Sequence, residues 1–211
     1  MTASRKVSIA AIDSGINPNH PHVGPVAGGV SITAEGTDPS FLDLLGHGTA
    51  VAGAIREKAP GADLFAVKVF DRVLSTSGAI LLRALDWCIE REMDFINLSL
   101  GTSNAAYQSL FEDRVQRARS LGLTIVAAYE VNGRPALPGA LEGVVGVLLE
   151  PACPRDRLYR VDRAGRTLLA ASGYPRAIPG VPQERNLQGI SFAVANVTGL
   201  LAAGWQDCTQ R

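Results

Sequence analysis

Cysteine is scarce in this chain. There are three in 211 residues, Cys88, Cys153 and Cys208, an odd number with no paired spacing. That pattern argues against a disulfide framework and against a thiolate zinc centre. Cys88 falls on the apolar stripe of a helical segment, where a buried thiol is the expectation. Net charge is lacking as well, since 20 Lys plus Arg balance 20 Asp plus Glu. No broad field is left to draw in nucleic acid or anionic lipid. No apolar run approaches the ~20 residues that span a bilayer, and the polar start Met1–Lys6 does not read as a secretory signal. These absences predict a soluble cytoplasmic protein that uses neither nucleic acid nor membrane as a partner.

Hydrophobic residues make up 46% of the chain and charged ones 19%, the balance of one well-buried domain covering 1–211. Val7–Ile12, Asp63–Val69, Asp94–Leu100, Thr124–Ala128 and Val144–Leu149 are apolar runs of strand length. Between them lie helical patterns. Leu81, Ala84, Leu85, Cys88 and Ile89 form one stripe, and Tyr107, Leu110, Phe111, Arg114, Val115 and Ala118 another. Strands alternating with helices imply right-handed crossovers. The fold class predicted is α/β, a doubly wound and mostly parallel sheet with helices on both faces. Pro151–Pro182 reads as short segments and turns.

Three stretches carry chemistry. Leu45-Gly46-His47-Gly48-Thr49-Ala50-Val51 sets a histidine between two glycines at the mouth of an apolar helix. Val7–Ile12 ends on Asp13, and Gly189-Ile190-Ser191-Phe192-Ala193 puts a serine at the start of a small-residue helix. A serine hydroxyl is a poor nucleophile until a base takes its proton. His47 is placed for that task, Asp13 can hold its tautomer, and the Ser191 backbone N–H can face an oxyanion. The order Asp, His, Ser differs from the α/β-hydrolase order, and Gly-Ile-Ser-Phe-Ala is not their Gly-x-Ser-x-Gly elbow. His20 and His22 sit in a Pro- and Gly-rich loop and are read as loop histidines. No metal or cofactor is expected.

On these motifs the chain resembles the subtilisin-like serine proteases, the subtilases, from about Val7 to Trp205. The resemblance implies a catalytic triad of Asp13, His47 and Ser191. It implies that Ser99, Leu100 and Gly101 run beside substrate, with Ser77 and Gly78 on an opposing extended edge. The family's calcium loop has no counterpart in the short Arg56–Ala62 connection. Departures are also plain: Ile190, Phe192, Ala195 and Asn196 stand where subtilases usually carry Thr, Met, Pro and His. The family's side-chain oxyanion donor is an Asn in Ala-Ala-Gly-Asn, whereas this chain reads Ala127-Ala128-Tyr129-Glu130-Val131-Asn132-Gly133. Counting from either side lands on Glu130 or Val131; Asn132 has the right chemistry and is the expected donor if a bulge absorbs one residue. The implied activity is that of a serine endopeptidase on peptide or protein substrates, a selective intracellular processing enzyme such as one that removes a peptide leader. The alternative is a subtilase fold that binds peptides or scaffolds partners without cleaving them.

Overall fold

In the computed structural model, which describes residues 5–205 and 208–210, the apolar run after Val7 becomes the strand around which the sheet is laid. That strand is β1 (Ser8–Asp13); β2 (Gly28–Ile32) and the short β3 (Thr37–Asp38) follow, then helix α1 (His47–Lys58) and β4 (Asp63–Lys68). Next come α2 (Gly78–Glu90), β5 (Phe95–Leu98), α3 (Gln108–Ser120), β6 (Thr124–Ala128), β7 (Glu130–Val131) and β8 (Arg134–Pro135). The remainder is β9 (Val145–Leu149), β10 (Leu158–Arg163), β11 (Arg166–Ala171), α4 (Ile190–Ala202) and β12 (Cys208–Gln210). What the sequence suggests for Met1–Lys6 and for the Cys208 side chain lies partly or wholly outside the described residues.

The main sheet has ten strands in the order β12-β10-β11-β9-β6-β5-β1-β4-β2-β3. From β2 to β11 every neighbouring pair is parallel. The chain leaves β1, crosses to β4 on one side, then returns to β5 on the other. The order therefore reverses at β1, and a doubly wound sheet opens its crevice at such a point, beyond the carboxyl ends of the strands. Asp13 is the last residue of β1.

Because successive side chains of a strand face opposite ways, β1 feeds two cores. Ala10 and Ile12 pack with Leu81, Leu85, Phe111 and Val115 of α2 and α3. Ile9 and Ala11 pack with Val51, Ile55, Phe192 and Ala195 of α1 and α4. The central strands β1, β4, β5 and β6 are covered on both faces, which is why their sequences read as continuous apolar residues. Cys88 is among the buried residues, and burial holds its thiol far above its usual pKa. Among the described residues no helix is long and apolar enough to cross a membrane.

Three segments differ from the sequence expectation. The stretch read as turns, Pro151–Pro182, contains the antiparallel hairpin β10–β11, and β11 extends the parallel sheet by pairing with β9. The polar, half-exposed β10 hides it, and the turn uses Ala164 and Gly165, both at positive φ. The expected bulge at Tyr129–Val131 is instead a hairpin, β7–β8, turned by Asn132 and Gly133 at φ 53° and 73°. Asn-Gly is a favoured pair for such two-residue turns. The last helix also stops at Ala202, short of Trp205.

Candidate active site

Asp13 is 1% exposed, and its Oδ1 lies 2.7 Å from His47 Nδ1 while also accepting from the Ser14 N–H at 2.7 Å. Its second oxygen, Oδ2, is buried without a hydrogen-bond partner. His47 opens α1, and the glycine after it is what permits the approach. A Cβ on Gly48 would stand 2.2 Å from the Gly15 carbonyl oxygen and 3.2 Å from the Asp13 carboxylate. Gly46, before it, adopts φ 80°.

A second acid braces this turn. Asp43 Oδ1 accepts from Ser14 Oγ and from the N–H groups of Leu45 and Gly46, all at 2.9 Å. Its Oδ2 accepts from Thr49 N–H at 2.8 Å and Thr49 Oγ at 2.6 Å. Gly46, the N-cap residue, has no side chain to offer, so a carboxylate three residues upstream does the capping at the positive end of the helix. Burial opposes the Asp43 charge, but these donors outweigh it and hold its pKa below the usual carboxylate value. For His47, burial works against the imidazolium; the hydrogen bond and charge of Asp13, with Asp43 adding, outweigh it and raise the pKa above 6.5.

Ser191 is the second residue of α4, so its backbone N–H lies among those a helix start leaves unpaired. Its hydroxyl donates to the Ser99 carbonyl at 3.2 Å. Ser99 is itself braced from below, because Asn97 Nδ2 donates to Ser99 Oγ at 2.9 Å and Thr198 Oγ1 donates to Asn97 Oδ1 at 3.0 Å. Asn97 and Thr198 are fully buried. Phe192, which follows the serine, brings its ring centroid 5.4 Å from that of His47.

Asp13, His47 and Ser191 line one cleft of about 380 Å³ together with Ser99, Leu100, Gly101 and Gly78. Ser77 does not line it; its hydroxyl accepts from the Ile80 N–H and caps α2. Asn132 does not line it either, standing exposed at the tip of the β7–β8 hairpin. Val131 reaches the cleft in its place. Glu130 Oε2 lies 2.9 Å from Arg163 Nη1, a close ion pair not aligned as a hydrogen bond. The sequence reading missed Phe70, Leu74 and Leu81 in the lining. Leu81 belongs to the α2 stripe already visible as core, but nothing in a single sequence says that its helix start borders a cleft.

The description of Peptidase S8, the subtilase family, matches residues 4–209. This chain is a subtilase. The thermostable alkaline protease of Halalkalibacterium halodurans (strain ATCC BAA-125 / DSM 18197 / FERM 7344 / JCM 9153 / C-125) is 38% identical over 216 residues, 92% of this chain and 55% of that protein. Minor extracellular protease Epr of Bacillus subtilis (strain 168) is 39% identical over 155 residues, 68% of this chain and 23% of that protein. Subtilisin Savinase of Lederbergia lenta is 36% identical over 205 residues, covering 92% and 71%. This subtilase thus spans about half the length of the first relative and under a quarter of the second. A crystal structure of a cold adapted subtilisin-like serine proteinase is similar in fold, with a TM-score of 0.68 at 22% identity over 93% of this chain and 74% of that one.

Proposed function

We propose that this subtilase is a serine endopeptidase in which Ser191 is the nucleophile, His47 the general base and Asp13 the residue that orients and stabilises the imidazolium. The observation that carries the reading is the 2.7 Å contact between Asp13 Oδ1 and His47 Nδ1 in the cleft that Ser191 also lines. In the reaction, the Ser191 hydroxyl leaves the Ser99 carbonyl and gives its proton to His47 Nε2 as Oγ bonds to the substrate carbonyl carbon. The developing oxyanion accepts from the Ser191 backbone N–H. His47 then protonates the leaving amine as the C–N bond breaks. Water attacks the acyl-enzyme, passes a proton to His47, and the acid departs with Ser191 restored.

The substrate side of the cleft has apolar walls, Phe70, Leu74, Leu81 and Leu100, which favours selective processing of particular peptides, leader removal among them, over general digestion. A cytoplasmic setting suits the buried, unpaired Cys88 thiol. A second reading, a peptide-binding protein that does not cleave, is favoured by Glu130, an acid tied to Arg163 where the family's neutral amide donor is expected. Fluorophosphonate labelling separates the two. We expect the protein to label and Ser191→Ala to stay unlabelled; an unlabelled parent with intact fold sinks the protease reading.

A further inference from the structure

The His20-Pro21-His22 pair takes no part in the chemistry above, yet it lines a second cavity of about 290 Å³ on the other side of the His47 turn. The His20 and His22 rings meet edge to face with centroids 5.0 Å apart. The His22 backbone N–H donates to His20 Nδ1 at 3.2 Å, which leaves the ring proton of neutral His20 on Nε2. Arg176 joins them, donating from Nη1 to the His22 carbonyl at 3.1 Å. Among the described residues no carboxylate pairs with that guanidinium. Asp43 also borders the cavity, but both of its oxygens are taken by donors from Ser14, Leu45, Gly46 and Thr49. The cavity is therefore lined by the Arg176 guanidinium, two imidazoles and one carboxylate, Asp43, whose acceptor positions are filled by neutral donors rather than by Arg176. Burial first, then the charges of Arg176 and His20, lower the His22 pKa, with Glu57 opposing.

Its place relative to the cleft is informative. His47 lines the cleft and its neighbour Gly46 lines the second cavity; Ser191 lines the cleft and Leu187, just upstream, lines the second cavity. The two cavities thus adjoin at the His47 turn and at the start of the Ser191 helix, which is where the leaving side of a peptide seated along Ser99–Gly101 would emerge. We propose that this cavity is a carboxylate-binding subsite, formed by His20, His22 and Arg176, for the portion of a peptide that departs with the amine. The inference rests on the protease reading for its role, though not for the binding itself. An Asp or Glu side chain and a free peptide C-terminus present the same acceptor, which the free guanidinium N–H groups and His20 Nε2–H suit.

The test has one arm without catalysis. Full-length Ser191→Ala protein is titrated with N-acetyl-Ala-Asp-amide, with N-acetyl-Ala-Ala bearing a free carboxylate, and with N-acetyl-Ala-Asn-amide. The His20 and His22 ring signals are followed by NMR. We expect one or both carboxylate peptides to move both rings and the neutral amide to leave them, and the responder names the source. Adding Arg176→Gln should weaken that binding about tenfold, the loss of a charge-assisted hydrogen bond, and Arg176→Lys should restore part of it. A thermal melt matching the parent confirms that each variant is folded, and the Lys variant decides alone if the Gln variant is not. Equal shifts with the neutral amide, or undiminished binding in a folded Arg176 variant, overturn the proposal. The second arm compares kcat/KM for substrates carrying Asp or Asn on the leaving side. A preference of about tenfold for Asp, abolished in Arg176→Gln, supports the subsite. An enzyme that cleaves neither substrate defeats the protease reading and leaves the first arm to decide the subsite.

Discussion

The two halves of the cleft are built differently. On the Asp13–His47 side every part is short-range or buried: an acid at a strand end, a glycine that lets the histidine turn close in, and Asp43 gathering donors from the turn. On the other side, the ground beyond Ser191 is a small exposed hairpin whose acid, Glu130, is held by Arg163 from the distant β10–β11 hairpin. The contrast teaches that proton transfer and oxyanion stabilisation are separable demands. The first needs close placement of a few groups, and hydrogen bonds brace Asp13 Oδ1 and Asp43 there, with Asp13 Oδ2 left without a partner. The second can lean on a backbone N–H that any helix start supplies, and here the segment where the family's amide donor is expected is a hairpin that brings Val131 to the cleft.

The contrast can be broken most forcefully at Asp13. Asp13→Asn keeps the shape but favours the wrong tautomer, and turnover should fall by about 10⁴-fold. Because Asp13 raises the His47 pKa and the base must be neutral, the parent rate should climb as pH rises through that raised value. In the variant the inflection should move to lower pH. A pH profile of kcat/KM that keeps the same inflection without Asp13 would deny the pairing its role.

Asp43→Ala comes next. It strips the acceptor from the turn and should cost about 2 kcal/mol in a denaturant melt, the upper range for a lost helix cap, with turnover falling alongside. The Asp43 pKa is depressed in the folded state, so its stabilisation is full above the ordinary carboxylate pKa. It is lost as pH falls through the lowered value. An Asp43→Ala protein whose stability changes with acid as the parent's does would contradict this.

The smallest effects are expected on the hairpin side. Asn132→Ala, at the hairpin tip, should change turnover by less than about threefold, well short of the 10²-fold that losing an oxyanion donor costs. Glu130→Gln should hold the rate or raise it, since it replaces an acid with an amide that can donate. A 10²-fold loss in either variant, measured as kcat with KM unchanged, would assign the second donor there and erase the contrast.

Much of the braced side was legible in the sequence because its signals are local. A strand ending on an acid, a histidine between glycines and a serine opening a helix each occupy a few consecutive residues, and burial on both faces makes parallel strands read as apolar runs. The hairpin side was not. Counting along Ala127–Gly133 treats the segment as the family's loop, while Asn132-Gly133 turns it into a hairpin. β10 carries Tyr159, Arg160, Asp162 and Arg163 and is half-exposed, so no apolar run announces it, and the run in β11, Leu168–Ala171, is only four residues long. Ser77 was misread for a related reason, since a connector residue and a helix cap look alike until the helix start is known. Asp43 passed unnoticed because an acid three residues ahead of a capping glycine has no periodic signature.

The ring of Phe192 lies against His47 where many subtilases carry a methionine. A thioether beside a nucleophile is the first group that peroxide converts, and the resulting sulfoxide is polar and differently shaped. A phenyl ring offers no such lone pair. The chain has two methionines, and the one within the described residues, Met93, is buried 3% exposed among the α2 and α3 residues. The turn that carries His47 thus has a ring inert to peroxide where a thioether neighbour would be converted to its sulfoxide.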